Sequence, residues 1–250
     1  MNDTSTVATI DAAGVYYRDL NTRLRELVDG GAQKIIINNA HGQRYIGTDL
    51  CKPVEIEIHG TPGNDLGAFM EGPIISVYGN AQDGAGNTMN EGKIIVHGRA
   101  GDITGLSARG GEIYVRDSVG YRLGIHMKEY GEKKPLIVIG GTAQDFAGEY
   151  MAGGVIALLG LNLRGNRHTA RFIGTGMHAG VIYYHGIIEE HQLGKEVGVA
   201  PLTEEDRQTL ARLVNEYARH FGRDAEAILN RDFQKLYPKF LRPYGRLYTY

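Results

Sequence analysis

The chain has no tryptophan, one cysteine and four serines in 250 residues. A single thiol, Cys51, excludes an internal disulfide framework and any four-cysteine zinc or iron–sulfur site built from this chain alone. Its ordinary reading is an inert, half-buried thiol. None of Ser5, Ser76, Ser107 and Ser118 sits in a G-x-S-x-G turn. Gly105-Leu106-Ser107 comes nearest, and the pattern argues against a serine hydrolase. Gly79 to Gly84 has Walker-like glycine spacing, but Ala85 stands where the lysine belongs. Gly174-Thr175-Gly176 lacks the strand-to-helix context of a dinucleotide loop. No apolar run reaches roughly 18 residues, and no signal-peptide pattern opens the chain, so a soluble, cytoplasmic protein is expected. A formal charge of −2 gives no global attraction to nucleic acid or an anionic membrane, and neither is expected as a partner.

What the chain has is glycine, 36 residues of it, set in a repeat. A glycine closes each of several β-rich runs at Gly60, Gly79, Gly98 and Gly141, with spacings of 19, 19 and 43; Asp117 fills the open slot. Seven residues on comes a second glycine: Gly67, Gly86, Gly105, Gly124, Gly148. Ten residues on comes a methionine (Met70, Met89, Met127, Met151), with Ala108 in one copy and Met177 in a last, looser one. Self-similarity at this period marks stacked supersecondary units.

Each unit opens with a β-branched strand, from VEIEIHG to VIYYHG, and no helix-length segment separates successive strands. The buried face is read as Ile56/Ile58, Ile75/Val77, Ile94/Val96, Ile113/Val115 and Leu136/Val138, with Ile137 and Ile139, then Ala157 and Leu159, facing outward. At ~3.3 Å per residue, one unit closes a coil of roughly 60 Å perimeter. These features predict an all-β solenoid, a right-handed parallel β-helix of about seven coils. The predicted limits are a helical flank over 1–34, the β-helix over 35–190, and C-terminal helices with an extended aromatic and basic tail over 191–250. Tyr17 to Val28 reads as a helix stopped by Gly30-Gly31. Thr203 with Asp206 resembles a capping box ahead of the stripe Leu210, Leu213, Val214, Tyr217 and Phe221, and a short helix follows over Asp224 to Asn230. The apolar outer strand positions need a cover, either these helices or another subunit. The tail from Phe233 onward cannot form a core and is expected to lie along a surface, its own or a partner's. Lys128 to Lys134 and Asn162 to Gly180 break the period and are expected as surface loops; the second carries Arg164, Arg167 and Arg171.

Candidate chemistry is sparse. His59, His97 and His185 share a phase, but two coils at ~4.8 Å set the first two nearly 10 Å apart, too far for one metal ion. They read as a solvated ladder. Asn64, Asp83, Asp102 and Asp145 share another phase and read as turn-capping residues, with calcium ligation as the sharper alternative. No catalytic, cofactor-binding or metal-binding residue is assigned.

The coils GNAQDGAGNTMNEGKIIVHGRAGDITGLSARGG and GGTAQDFAGEYMAGGVIALLG resemble the glycine-repeat C-terminal domain of the glutamate synthase large subunit, from about Ile37 to Glu189. HGTPGNDLGAFMEGP, GYRLGIHMKEYGEKKP and the PYGRLY tail look like the stand-alone, archaeal-type version of that domain. The resemblance implies a non-catalytic scaffold in a complex that makes glutamate from glutamine and 2-oxoglutarate. The partners would be an amidotransferase subunit and a synthase subunit that holds FMN and an iron–sulfur cluster, with no cofactor in this chain. The family's amidotransferase nucleophile is an N-terminal cysteine; this chain begins Met1-Asn2, so that role does not carry over. Alternatives are a subunit of an N-methylglutamate synthase, the glycine-repeat subunit of formylmethanofuran dehydrogenase, a homo-oligomer with an independent role, or a free-standing esterase-like hydrolase.

Overall fold

A computed structural model describes residues 6–240. The chain forms one parallel β-solenoid of about six turns with a few flanking helices. Strands β1 (Val7–Asp11), β2 (Lys34–His41), β3 (Glu55–Thr61), β4 (Glu71–Tyr78), β5 (Glu91–Val96), β6 (Glu112–Val115), β7 (Leu136–Ile139), β8 (Ala152–Leu158) and β9 (Ala179–His185) lie side by side in sequence order, all parallel. The solenoid has about six turns where about seven coils were expected. Beyond β9 the sheet continues antiparallel through β11 (Phe233–Pro238) and ends on β10 (Val197–Pro201). The sheet therefore extends into both flanks. The first stretch of the aromatic tail is itself a strand on the chain's own sheet, while PYGRLY lies outside the described residues, as does Met1-Asn2.

Register explains the core. Ile35, Ile56, Ile75, Ile94, Ile113, Ile137, Ile156 and Ile182 stand opposite one another through successive coils, all essentially inaccessible to solvent. Two residues on, Ile37, Ile58, Val77, Val96, Val115, Ile139, Leu158 and Tyr184 form the parallel row. One expectation is corrected here. Ile137 and Ile139 face the core, and Leu136 and Val138 face outward, because β7 pairs Ile113 with Ile137. A slip of one residue turns every side chain to the other face, and a strand apolar on both faces gives no alternation to fix it. The methionine row lies where the repeat put it: Met70, Met89, Met127, Met151 and Met177 are all buried at the coil corner, with Ala108 in the same phase.

The glycine seven residues past the marker is required twice over. Gly124 has φ +63°, and a Cβ there would sit 2.7 Å from Ile156 Cδ1, the core isoleucine contributed by the coil after next. Only glycine supplies the left-handed backbone and the empty volume together.

Helix α1 (Tyr17–Asp29) packs Leu20, Leu24 and Val28 into the main core. Helix α2 (Glu204–Phe221) starts at the Thr203–Asp206 capping box and ends on Gly222 in the left-handed conformation. Its Leu210, Leu213, Val214 and Tyr217, with Ile228 of α3 (Ala225–Leu229), cover the outer positions Tyr114, Leu136, Val138, Val155, Ala157 and Tyr183. The cover that the apolar outer face demanded is thus the chain's own helices.

Candidate interaction surface

The ionisable groups with the largest departures from their ordinary behaviour clamp α2 onto the sheet. Asp206 is buried, which alone would raise its pKa. Lys235, both polar groups of Thr203 (2.8 and 2.7 Å) and the Tyr183 hydroxyl (2.9 Å) donate to it and bring it down to about 2. Glu216 is likewise penalised by burial, yet Lys93 (2.5 Å) and Arg219 hold it at about 2. Lys93 also pairs with Glu112 at 3.2 Å, and Glu112 accepts from the Tyr114 hydroxyl at 3.0 Å. Burial, with the Glu112 charge beside it, pushes the Tyr114 phenol far up. Tyr217 reaches across to donate to Arg116 O at 2.8 Å, and burial raises its phenol to about 12. Gly140 makes this reach possible, because any side chain there would collide with the Tyr217 hydroxyl.

The residues singled out in the sequence fall into structural places. Cys51 is exposed rather than half-buried. Ser107 is a coil corner in the left-handed conformation, its N–H donating to Ile125 O at 2.8 Å in the next coil. Gly174 and Gly176 form another such corner, and a strand rather than a helix follows them. The expected histidine ladder is a ring stack. Tyr78 fills the coil between His59 and His97, with centroids 5.0 and 4.6 Å apart, and Phe221 of α2 closes the stack edge-on at 5.2 Å. His185 stands apart, its Nδ1 2.9 Å from Asp232 O. The acidic row caps, but it caps the following coil rather than its own turn. Asp83 accepts from Asp102 N, Asp102 from Tyr121 N and Asp145 from Arg171 N, each at 2.8 Å. Among the described residues, no group of three or more His, Cys, Asp or Glu side chains is placed to hold a metal ion.

The two insertions differ. Lys128 to Lys134 folds back on itself through a Tyr130–Lys133 bridge, and Lys133 reaches Glu71 and Glu91 at 2.6 and 3.4 Å. Asn162 to Gly180 is a loop only in its first part; from Phe172 onward it resumes the regular corner through Gly174 to the buried Met177. Arg167 pairs with Glu189, while Arg164 and Arg171 are exposed.

A feature that the sequence reading missed lies along this corner. Two rows of residues in successive coils take left-handed backbone conformations, and bulky side chains fill them in early coils (Tyr45, Phe69) as well as late ones. Arg122, Phe146 and Phe172 have φ of 60°, 67° and 57°; His126 and Tyr150 have 55° and 52°. The rings stack: Phe146 on Phe172 at 4.9 Å, and His126 on Tyr150 at 5.2 Å. Arg122 lies 4.8 Å from the Phe146 centroid and pairs with Glu149. The signal available in the sequence was phase: these residues occupy the fifth and ninth places after the marker.

A largely parallel sheet wound into a solenoid, with helices packed on its outer face and exposed stacked rings at one corner, defines a solenoid module. The model of the GXGXG motif family matches residues 32–244, and the chain belongs to that family. Over 249 residues it is 48% identical to an uncharacterized protein of Methanocaldococcus jannaschii, covering 96% of this chain and 95% of that one. Its fold is also that of a chain in the formyltransferase/hydrolase complex of Methylorubrum extorquens, solved with methylofuran. The TM-score is 0.65 at 20% identity, over 84% of this chain and 76% of the other. No helix among the described residues is long and apolar enough to cross a membrane.

Proposed function

We propose that this chain is a non-catalytic scaffold subunit of a multi-subunit, glutamate synthase-like oxidoreductase. It would hold an amidotransferase subunit and an FMN and iron–sulfur synthase subunit in register while those partners convert glutamine and 2-oxoglutarate to glutamate. The observation that carries the reading is the use of the polar core. Its strongly shifted acids, Asp206 and Glu216, are tied by ion pairs and hydrogen bonds that fasten α2 to the sheet. Membership of the GXGXG family and the resemblance of the repeat coils to the glutamate synthase domain support the choice of complex. Both redox groups would reside in the synthase partner. The fold shared with a chain of a formyltransferase/hydrolase complex favours a second reading, a scaffold in a formyl-transferring assembly of that kind. An N-methylglutamate synthase subunit is the variant of the first reading in which the nitrogen donor differs.

The test is purification of the tagged chain at native expression, with identification of what accompanies it and assay of the intact assembly. Glutamine-dependent reduction of 2-oxoglutarate by a complex containing both partners supports the glutamate synthase reading. Co-purifying formyltransferase and hydrolase subunits would replace it with the second. A lone homo-oligomer would defeat both.

A further inference from the structure

We infer that β1 is an open pairing edge to which a second copy of this chain adds its own β1, antiparallel and related by a two-fold axis, so that two solenoids join as a dimer. The inference goes beyond the scaffold reading and does not depend on it. It begins from hydrogen-bond phase. β1 is the first strand of the sheet, and its pairing partner is β2. Thr6 O accepts from Gln33 N at 3.1 Å, and Ala12 N donates to Asn38 O at 2.9 Å. Backbone groups alternate sides along a strand, so Thr6, Ala8, Ile10 and Ala12 turn theirs toward β2. Val7, Thr9 and Asp11 turn theirs outward, and among the described residues no strand receives them. These outward donors and acceptors stand in a row on an edge without proline, lysine or bulge. The side chains of the same residues lie exposed on the outer face, Val7 at 53%. An edge of this kind is a template for another strand.

The other end of the sheet selects the occupant. Lys239 N donates to Glu196 O at 2.7 Å, which sets the phase of the β10–β11 ladder. Gly198 and Ala200 then turn their backbone groups toward β11, and Val197, Val199 and Pro201 turn theirs outward. Pro201 has no N–H, and Val197 N is taken by Gly194 O at 3.1 Å. The Val199 N–H is the outward donor that remains. Proline on an edge blunts pairing. Stacking β1 of one copy on β10 of the next, which would grow into an open filament, is therefore opposed, and the closed two-fold pair is left. Antiparallel pairing centred on Thr9 sets Thr9 against Thr9 of the second copy, with Val7 against Asp11 on either side. Each outward residue then falls in a hydrogen-bonded pair, and every outward donor meets an acceptor. The facing threonines add a favourable cross-strand pair. The two Asp11 carboxylates lie about 14 Å apart along the strands, beyond a Debye length of about 8–10 Å, so their repulsion is screened.

The experiment is sedimentation equilibrium of the full chain over a range of concentrations, with variants at Thr9. Thr9→Pro deletes the central outward N–H and no bond to β2, a change that an edge strand tolerates. Thr9→Lys keeps the backbone intact and sets like charges directly opposite each other across the pair. Thr9→Cys in a Cys51→Ser background brings two thiols together at the two-fold axis, within the ~4.4–6.8 Å Cα separation that a disulfide spans. Wild type should be a dimer. Thr9→Pro should weaken it at least tenfold, since each strand loses a hydrogen bond, while its circular dichroism stays that of wild type. Thr9→Lys should weaken it too, and added salt should restore part of the loss. Thr9→Cys should form an intermolecular disulfide on oxidation. A wild-type chain that is monomeric at every concentration would overturn the inference and leave the scaffold reading untouched. A dimer as tight in Thr9→Lys as in wild type would place the contact elsewhere and overturn it, whether or not Thr9→Pro folds. Growth beyond the dimer would mean an open stack and overturn the closed pair. A weakened dimer without the disulfide would overturn the register centred on Thr9. A monomer that binds a purified amidotransferase or synthase subunit, and loses that binding in Thr9→Lys, would give the edge a different occupant and overturn the inference also.

Discussion

Replacing Met89 with aspartate tests the coil register at its most sensitive point. Met89 is wholly buried at the corner, with its thioether against the backbone of Gly86 and its methyl against Gly111. Losing that side chain from the core costs about 1.5–3 kcal/mol. The new carboxyl would lie in an apolar, water-free corner, so the group must remain protonated. Holding a carboxyl neutral at pH 7, when its unfolded pKa is about 3.9, costs a further ~4 kcal/mol at about 1.36 kcal/mol per pKa unit. The total is about 6 kcal/mol at pH 7, comparable with the entire stability of many domains. The sign of the pH dependence follows. A carboxyl whose folded pKa is raised binds its proton more tightly in the native state, so the penalty grows with pH above about 4 and nearly vanishes below it. Thermal and urea unfolding of Met89→Asp beside Met89→Ala, at pH 4 and pH 7, separates the terms. Alanine should sit near the low end of the about 2–5 kcal/mol range, since Ala108 fills this phase in the next coil. An aspartate variant that melts like wild type, or a deficit equal at both pH values, would refute the buried corner and the stacking built on it.

Gly124→Ala should destabilise by about 2–4 kcal/mol, the sum of a left-handed penalty and overpacking against Ile156 Cδ1. Ile156→Val removes that methyl group, so the double variant should recover part of the loss, and additive losses in a double-mutant cycle would contradict the contact. Asp206 has its pKa lowered from 3.8 to about 2, so it contributes about 2 kcal/mol that is present above pH 4 and lost as pH falls through 2. Asp206→Asn should lower stability at pH 7 and flatten the acid limb of the stability curve; an acid limb of unchanged steepness would mean the Lys235–Asp206 clamp is not formed in solution.

Much of this fold could be read from spacing because a solenoid writes the same physical demand at the same phase in every coil. The glycine at place seven and the methionine at place ten recur for a reason that each coil states independently, and the structure keeps both. Helix α2 was equally readable, through its capping box and its stripe from Leu210 to Tyr217. The orientation of β7 was not. Leu136, Ile137, Val138 and Ile139 are all buried, two against the axial core and two against α2, so no alternation distinguishes the faces. Strands β10 and β11 were missed for a related reason. They pair antiparallel at the end of the stack, outside the period, and their partners lie up to tens of residues away in sequence.

The candidate surface was the least legible part, and the cause is physical. Repeat analysis rewards sameness, whereas a contact surface on a solenoid consists of departures from it. At the fifth place after the closing residue of each run, and at its equivalent within the second insertion, the coils hold Tyr45, Asp65, Gly84, Ile103, Arg122, Phe146 and Phe172, a series that looks like drift in a sequence. Only the backbone angles show that every one of these positions is left-handed. Glycine and aspartate suit that conformation, while isoleucine, arginine and phenylalanine oppose it. Their presence therefore has a cost in each coil that holds them, and the rings gain back only part of it by stacking on one another.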